Sequence, residues 1–377
     1  MSDYADLPSD LARLKRLESY DYALDSSLIA SKPITPKSAA KLLVYDRARD
    51  FITHTTFANL WDFVPQNCLI VLNDTKVIRA RIYGEKLSVA KPNGASGAKI
   101  ELFYHKYLGK SCTNCESSAD SGKSHRFLVQ IKGKVRVGEC VIFENGVVAK
   151  VRKLRENGLR EVEFYRNDEI LDEGAILAFL EARGHIPLPP YIKRSDDEAD
   201  LADYQSVFAK KIGSIAAPTA SLHFSQSDMR EIKARPHCFV SLHIGAGTFF
   251  AVESSDITAH KMHSESFFVV RQSVEMIANA SELLCVGTTA TRCVEYLARS
   301  QISSNFCDFY GECDMFINPL NPPIKTSHIL TNFHLPKSTL IMLVAGFIGL
   351  DKTLEIYTIA QNLKYRFYSY GDGMLIL

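Results

Sequence analysis

The residues best suited to chemistry lie in four short segments that mix small polar side chains with apolar sequence. Glycine lets a ligand approach the backbone, and threonine, histidine and asparagine supply directional hydrogen bonds. Several segments have an apolar or β-branched run on one side and helix-like sequence on the other, as segments at strand ends do. The pattern therefore predicts a ligand site at the ends of strands. The segments span residues 214–224, 241–249, 286–292 and 330–339.

The segment 285–297 has the order strand, glycine turn, helix. Backbone N–H groups at a helix start favour a carboxylate or a phosphate, and Arg292 would add a bidentate contact. Capping of the helix by Thr288 or Thr289 explains the same residues without a ligand, and the sequence does not separate the two interpretations. A second helix start, near residue 338, has more polar side chains than a cap requires: Thr331, Asn332, His334 and Lys337.

Two further segments have both a functional and a structural interpretation. Residues 242–249 form a Gly-x-Gly turn after a strand, which either leaves the backbone open to a flat nucleoside or is a β-bulge beside a core histidine. Residues 365–373 alternate aromatic and basic side chains. Such a sequence can stack bases and meet phosphates, or it can be a closing strand packed on a core.

Two other chemistries have weaker support. Ser221 and His223 form a Ser–His pair, but no Gly-x-Ser-x-Gly elbow and no acidic third member can be identified. His260, His263 and Glu265 could share a helix face and bind a metal, yet no further ligand is evident. Neither a hydrolase nor a metal site is therefore expected.

Composition restricts the class of protein. Lys and Arg number 44 against 43 Asp and Glu, so a nucleic-acid partner must be met by a local patch. The nine cysteines are irregularly spaced and are expected to be reduced, and Cys112 and Cys115 lack a second pair for zinc. No apolar signal region opens the chain, and its longest apolar run, 340–350, is too short to span a bilayer. A cytoplasmic protein without membrane association is expected.

The distribution of strand-like and helix-like sequence predicts an α/β main domain with an inserted small β-barrel domain. Residues 84–165 hold short strand-like runs separated by glycine and Asn-Gly turns, which is typical of hairpins in a barrel. Strands and helices alternate on either side. We expect an N-terminal extension at 1–19, a discontinuous catalytic domain at 20–83 and 166–377, and loops at 90–98 and 110–124 inside the barrel.

Taken together, eight segments resemble one family, the S-adenosylmethionine:tRNA ribosyltransferase-isomerases of queuosine biosynthesis. They follow the family's order from about residue 20 to the C-terminus. Ser221 stands where the family usually has glycine, and Ala290-Thr291 where it has Ser-Val. The segments span residues 72–81, 185–192, 216–224, 242–249, 262–265, 286–289, 331–342 and 365–372.

The resemblance implies a reaction and its partners. The ribosyl part of S-adenosylmethionine is transferred to 7-aminomethyl-7-deazaguanine at the tRNA wobble position and isomerised to an epoxycyclopentane, giving epoxyqueuosine. Adenine and methionine leave. S-adenosylmethionine is a co-substrate rather than a permanently bound cofactor, no metal is expected, and the protein is expected to be a monomer.

Candidate residues follow from the motifs and the reaction. A base, a donor to the leaving adenine and a pocket that excludes water are required. The candidate acid–base residues, which the sequence does not rank, are His223, His243, His334, Asp74 and Glu265. The candidate residues for binding S-adenosylmethionine are Thr219, Gly245, Gly247, Thr248, Thr288, Thr289, Arg292 and Asn332. The candidate tRNA contacts are Lys76, Arg79, Lys337, Arg366, Tyr368 and Tyr370.

Two alternative functions remain open from sequence. A tRNA-binding module that has lost catalysis is suggested by the departure at Ser221. A conventional S-adenosylmethionine-dependent methyltransferase would produce S-adenosylhomocysteine, although the chain lacks a glycine-rich motif after its first strand.

Overall fold

A computed structural model describes residues 9–87, 97–111, 124–245, 247, 251–300 and 306–377. The chain divides into two compact units. The first comprises Met1–Lys76, Pro189–Arg194 and Ala199–Leu377, and the second comprises Val77–Leu188 and Ser195–Glu198. Most of the two expected barrel loops, the Cys112–Cys115 pair and Thr248 lie outside the described residues.

The elements are numbered in chain order. The strands are β1 Lys41–Asp46, β2 Phe51–Thr56, β3 Leu69–Asn73, β4 Thr75–Val77, β5 Arg81–Lys86, β6 Lys99–Ser111, β7 Ser124–Lys132, β8 Cys140–Ile142, β9 Val147–Leu154, β10 Leu159–Arg166, β11 Glu169–Ile170, β12 Lys211–Ser214, β13 His237–Leu242, β14 Glu265–Val269, β15 Leu283–Val286, β16 Phe309–Cys313, β17 His328–Asn332 and β18 Gly373–Ile376. The α-helices are α1 Ser9–Lys15, α2 Leu60–Phe63, α3 Glu173–Arg183, α4 Asp200–Asp203, α5 Gln226–Lys233, α6 Arg271–Asn279, α7 Thr288–Arg299, α8 Thr339–Ile348 and α9 Leu350–Asn362.

A mixed sheet of nine described strands forms the first unit, in the order β16-β14-β13-β3-β15-β17-β18-β1-β2. Its central strands β13, β3, β15 and β17 are parallel. All five residues of β3 are buried, because helices and loops cover both faces of a parallel sheet. Parallel strands place their carboxyl ends at one edge, so the residues that follow Asn73, Leu242, Val286 and Asn332 emerge side by side.

Alternate residues of the central strands enter two separate apolar clusters, as the period of two in a strand requires. Val71 packs with Val294 of α7 and Val274 of α6 in one cluster. Ile70 packs with Leu60 of α2 and with Ile232 of α5 in another. The sheet edge that carries the carboxyl ends is thereby held between two layers of packed side chains.

Six strands of the second unit close into an antiparallel barrel in the order β10-β7-β6-β5-β8-β9, and pairing of β9 with β10 completes it. Asn145 and Gly146 have φ values of 58° and 69° in the turn between β8 and β9, the left-handed conformation that an Asn-Gly hairpin requires. The predicted α/β domain with an inserted small barrel is therefore confirmed. The barrel's compact unit also contains α3, beyond residues 84–165.

Two segments differ from what their sequence pattern indicates. Residues 169–183 have helical periodicity, but Glu169–Ile170 pair with β10 and the helix begins at Glu173. Asp172 caps it by accepting a hydrogen bond from the Ala175 N–H at 2.9 Å, which fixes the start. Residues 366–370 are not a strand either, since β18 begins only at Gly373.

Candidate functional site

A cavity of about 360 Å³ lies at the carboxyl ends of β15 and β17 in the first unit. Its wall is formed by the loops that follow these strands and by apolar residues such as Ala216 and Ile244. This is the place where an open α/β sheet binds its ligands. Seven residues predicted from sequence line it: Thr219, Thr288, Thr289, Asn332, His334, Lys337 and Tyr368.

Two helix starts contribute to the cavity wall. Helix α7 follows Gly287, whose φ of 88° suits glycine, and this N-cap residue has no side chain with which to cap the helix. Helix α8 follows Ser338, whose Oγ accepts a hydrogen bond from the Ile341 N–H at 3.3 Å. A helix start concentrates N–H groups and partial positive charge. The wall therefore favours an anionic group.

Asn332, at the end of β17, supplies a buried donor without an acceptor. The Thr219 hydroxyl donates to Asn332 Oδ1 at 2.7 Å, which fixes the side-chain amide and leaves Nδ2 for another partner. Asn332 is only 2% exposed, and Nδ2 has no hydrogen-bond partner among the described residues. An unsatisfied buried donor is costly, so this one is expected to serve a ligand.

Tyr368 is a second donor of this kind. Its hydroxyl is buried without a partner within the described part of the chain. The ring centroid lies 4.2 Å from that of Tyr191, and the Tyr191 hydroxyl bonds Ser369. The φ of Tyr368 is 70°, a strained conformation for a bulky residue that is common at functional sites.

His334 is the imidazole of the cavity wall. Its Nε2 is 2.9 Å from Thr331 Oγ1, and its backbone N–H donates to the Tyr357 hydroxyl at 3.1 Å. The Tyr22 hydroxyl donates to the His334 carbonyl. Burial lowers the pKa of His334 to about 3, so the ring is neutral at physiological pH.

Lys337 is held by the segment that precedes the sheet. Its Nζ is 2.7 Å from Glu18 Oε2 and 2.9 Å from Asp21 Oδ2, and its backbone N–H donates to the Tyr20 carbonyl at 3.0 Å. The hydrogen bonds that the Lys337 ammonium donates to these two carboxylates raise its pKa. Residues 17–22 thus fix the position of the cavity loop that follows His334.

A second polar cluster stands at the ends of β3 and β13. Thr75 Oγ1 is 2.8 Å from His243 Nδ1, and the Ser241 hydroxyl donates to Asp74 Oδ1 at 2.5 Å. Burial raises the pKa of Asp74 and lowers that of His243. These side chains do not line the cavity, but His243 immediately precedes Ile244, which does.

Glu265 and Arg292 form a buried ion pair. The Arg292 Nε donates to the Met315 carbonyl at 3.1 Å and Nη2 to the Cys313 carbonyl at 2.9 Å. Glu265 Oε1 accepts the Gly245 N–H at 2.9 Å. Arg292 is absent from the described cavity wall, and the pair instead anchors the Gly-x-Gly loop at its first glycine.

A family model described as queuosine biosynthesis protein matches residues 17–376. The chain belongs to this family. The resemblance noted in its motifs is thereby confirmed. Relatives named S-adenosylmethionine:tRNA ribosyltransferase-isomerase are 50% identical: that of Campylobacter jejuni covers 96% of this chain and 98% of its own length, and that of Helicobacter pylori covers 96% and 99%. A solved S-adenosylmethionine tRNA ribosyltransferase from Thermotoga maritima is 26% identical over 95% of this chain and 100% of that chain, with a TM-score of 0.49.

Several residues predicted from the queuosine-family motifs lie away from the cavity wall. His223 stacks on Phe57 with ring centroids 4.0 Å apart, and burial, with Arg366 and Lys37 nearby, lowers its pKa to about 3. Arg366 is paired with Asp372 at 3.2 Å. The remaining predicted residues of the first unit outside the described wall are Lys76, Gly245, Gly247 and Tyr370. Arg79 belongs to the second unit.

The departure at Ser221 has a visible consequence. Ser221 is fully buried, and its hydroxyl has no partner among the described residues. It does not line the cavity, whereas the adjacent Ala220 does. The Ser221 side chain therefore lies behind the cavity wall rather than within it.

Tyr191, Tyr204 and Ser369 line the cavity but were not predicted as site residues. Two of them lie in segments already recognised as family motifs, 185–192 and 365–372. For Tyr191, a tyrosine in a proline-rich loop was the sequence signal that could have indicated a site residue. In the described residues no group of three or more His, Cys, Asp or Glu side chains could hold a metal ion, and no helix there is long and apolar enough to cross a bilayer.

Proposed function

We propose that this chain is an S-adenosylmethionine:tRNA ribosyltransferase-isomerase. It transfers the ribosyl moiety of S-adenosylmethionine to 7-aminomethyl-7-deazaguanine at the tRNA wobble position and isomerises it, giving epoxyqueuosine, adenine and methionine. Membership of the queuosine biosynthesis family and 50% identity to relatives of that name support the proposal. The structural observation that carries it is the cavity, whose helix starts and unpaired donors match the groups of S-adenosylmethionine.

The helix starts of α7 and α8 suit the methionine carboxylate. A carboxylate gains from both the exposed N–H groups and the partial positive charge of a helix start. Because the N-cap residue Gly287 has no side chain, the first N–H groups of α7 can serve a ligand. A volume of about 360 Å³ falls within the range of small-molecule pockets, about 300–1,000 Å³.

Asn332 Nδ2 and the Tyr368 hydroxyl suit the adenine. Adenine offers only acceptor nitrogens on its ring, and it gains electron density as its bond to the sugar breaks. Buried donors that are already oriented stabilise such charge without reorganisation. Thr219 therefore acts through Asn332, since its hydroxyl sets the direction of the amide.

His334 is the acid–base candidate of the described cavity wall. It is neutral, so it can accept the proton that the sulfonium acidifies on the adjacent 5′ carbon. As an imidazolium it could then return this proton to the departing adenine. Asp74 and His243 are the alternatives from the neighbouring cluster.

Product analysis tests the function. The protein is incubated with S-adenosylmethionine and an anticodon stem-loop carrying 7-aminomethyl-7-deazaguanine. Free adenine and an RNA mass gain equal to the epoxycyclopentane are expected. S-adenosylhomocysteine would identify a methyltransferase instead, and RNA binding without any product would identify a binding module.

The variant His334→Ala tests the site in the same assay, and a large loss of turnover is expected. His237→Ala is the matched control, because His237 is the first residue of β13, at the opposite end of that strand from the cavity. Wild-type turnover in His334→Ala would remove His334 from the mechanism.

A further inference from the structure

The basic residues of this nearly neutral chain are concentrated in the barrel. Residues 81–166 contain seventeen Lys and Arg against nine Asp and Glu, whereas the whole chain contains 44 and 43. The rest of the chain is correspondingly acidic. A local excess of this kind is what a protein without net charge needs in order to meet a polyanion.

Part of this excess is organised on the outer face of β7, β9 and β10. Phe127, Val151 and Phe164 are buried, and the side chains that alternate with them on these strands point outward. Glu163 of β10 lies opposite Lys150 of β9. Arg126 of β7 reaches the same carboxylate from the other side, with Nη2 3.1 Å from Oε1.

A β-bulge adds a third cation to this face. The pairing of β9 with β10 shifts between Glu161 and Val162, so that Arg152 has no direct partner in the register. Bulges commonly redirect a side chain. Here the Arg152 Nε donates to Glu163 Oε2 at 2.6 Å, and Nη2 donates to the Tyr165 hydroxyl at 2.5 Å.

The cluster leaves positive charge exposed. Glu163 is nearly buried and also accepts the Ser124 hydroxyl at 2.7 Å, whereas Arg126 and Arg152 are 20% and 33% exposed. Two guanidinium groups carry more N–H donors than one carboxylate can accept. Held in place by Glu163, they lose little freedom when they bind a further anion.

We propose that Arg126, Lys150 and Arg152, here called the basic face, bind backbone phosphates of RNA. The inference rests on the proposed function in taking tRNA as the RNA. Planar guanidinium groups match phosphate geometry, and an outer sheet surface reads shape and charge rather than sequence. The basic face therefore contributes affinity for the tRNA body and no selectivity for the wobble base.

The test is tRNA binding by the full chain, measured by fluorescence anisotropy at several salt concentrations with an unmodified tRNA transcript. Lys150→Gln should lower the slope of log K against log salt by about one, as loss of one phosphate contact does. Replacing Arg126, Arg152 and Glu163 together by glutamine should lower it by about two. This triple variant leaves no buried carboxylate unpaired, which protects folding.

Two controls isolate the effect. Lys352→Gln removes one positive charge from α9, where Lys352 pairs with Asp50 and Glu355, and should leave the slope unchanged. Arg126→Lys with Arg152→Lys keeps the charge and should keep most of the slope while weakening binding several-fold. Circular dichroism and the melting temperature check the fold of each variant.

The outcomes separate the two proposals. A wild-type salt slope in both glutamine variants would overturn the basic face, even if adenine release remained normal. Adenine release by a wild-type protein that does not bind tRNA would count against both the basic face and the proposed function. A wild-type protein that neither releases adenine nor binds tRNA would also count against both. Reduced slopes with unchanged stabilisation of the protein by S-adenosylmethionine would support the basic face as a surface separate from the cavity.

Discussion

At the residue scale, one hydrogen bond determines what Asn332 can recognise. The Thr219 hydroxyl occupies Oδ1, so Nδ2 remains as a donor. Asn332→Asp replaces this donor by a second acceptor of nearly equal size. In the cavity the new carboxylate would also repel the methionine carboxylate. A buried acceptor of adenine left without its donor costs about 1–3 kcal/mol, so KM for S-adenosylmethionine should rise about 10- to 100-fold.

The control for this variant is Asn279→Asp, which makes the same change on the exposed end of α6. Thr219→Val should give an intermediate increase in KM, because the amide remains but is no longer oriented. Steady-state kinetics with varied S-adenosylmethionine provide the measurement. An unchanged KM in Asn332→Asp would place the ligand elsewhere.

The types of residue in the site could be predicted from sequence. Which of these side chains face the cavity and which pair with other residues could not. Asn332 ends a strand and Arg292 lies in the helix that follows one, and both looked suited to a ligand. In the structure Arg292 is neutralised by Glu265, a partner 27 positions earlier in the chain. His223 packs on Phe57, again a distant residue. Such pairings depend on tertiary packing, which a local motif does not encode.

At the scale of elements, the segment 17–22 serves as a support for the cavity loop. Tyr22→Phe removes the hydroxyl that donates to the His334 carbonyl and leaves that carbonyl without this partner. Loss of one partner of a buried hydrogen bond costs about 1–3 kcal/mol. We expect a lower melting temperature together with a several-fold loss of kcat, because His334 would no longer be held in one position.

Tyr310→Phe is the matched control, since Tyr310 is 73% exposed on β16. Differential scanning fluorimetry and single-turnover adenine release report stability and chemistry separately. If Tyr22→Phe lowered the melting temperature but left the rate of adenine release intact, the segment would be structural only.

Strands and helices could be predicted where a local sequence signal determines them. They were harder to predict where a tertiary contact determines them. The buried run at β3 and the Asn-Gly turn at 145–146 each indicate their structure from a few residues. The short strand β11 exists only because β10 lies beside it, and its sequence continues the helical pattern of α3. The role of the N-terminal segment was also missed, because its contacts with Lys337 span more than three hundred residues.

At the scale of the whole molecule, a net charge of +1 conceals an uneven distribution. The excess of cations lies in residues 81–166, and the rest of the chain carries the compensating excess of acidic residues. The unit that contains the cavity also holds two buried neutral histidines, His223 and His334. They make the stability of the molecule depend on pH. Burial lowers the pKa of each to about 3, because loss of hydration disfavours the charged imidazolium.

This burial predicts how stability depends on pH. In the unfolded chain a histidine titrates near pH 6.5. Between pH 6.5 and about pH 3 the unfolded state therefore binds protons that the two native histidines do not bind. The histidines therefore contribute their whole stabilisation above pH 6.5. The free energy of unfolding falls as the pH drops from 6.5 toward 3, by at most about 1.4 kcal/mol per pH unit for each histidine.

Trp61, the single tryptophan, lies in the same unit and reports its unfolding in urea. Between pH 8 and 5 the urea midpoint should decline mainly below 6.5. Carboxylates such as Glu295, whose pKa is lowered by its hydrogen bonds, stay ionised over this range and leave the histidine contribution visible. The double variant His223→Gln with His334→Gln should flatten the decline, whereas an equally steep decline would mean that other groups set the acid limit.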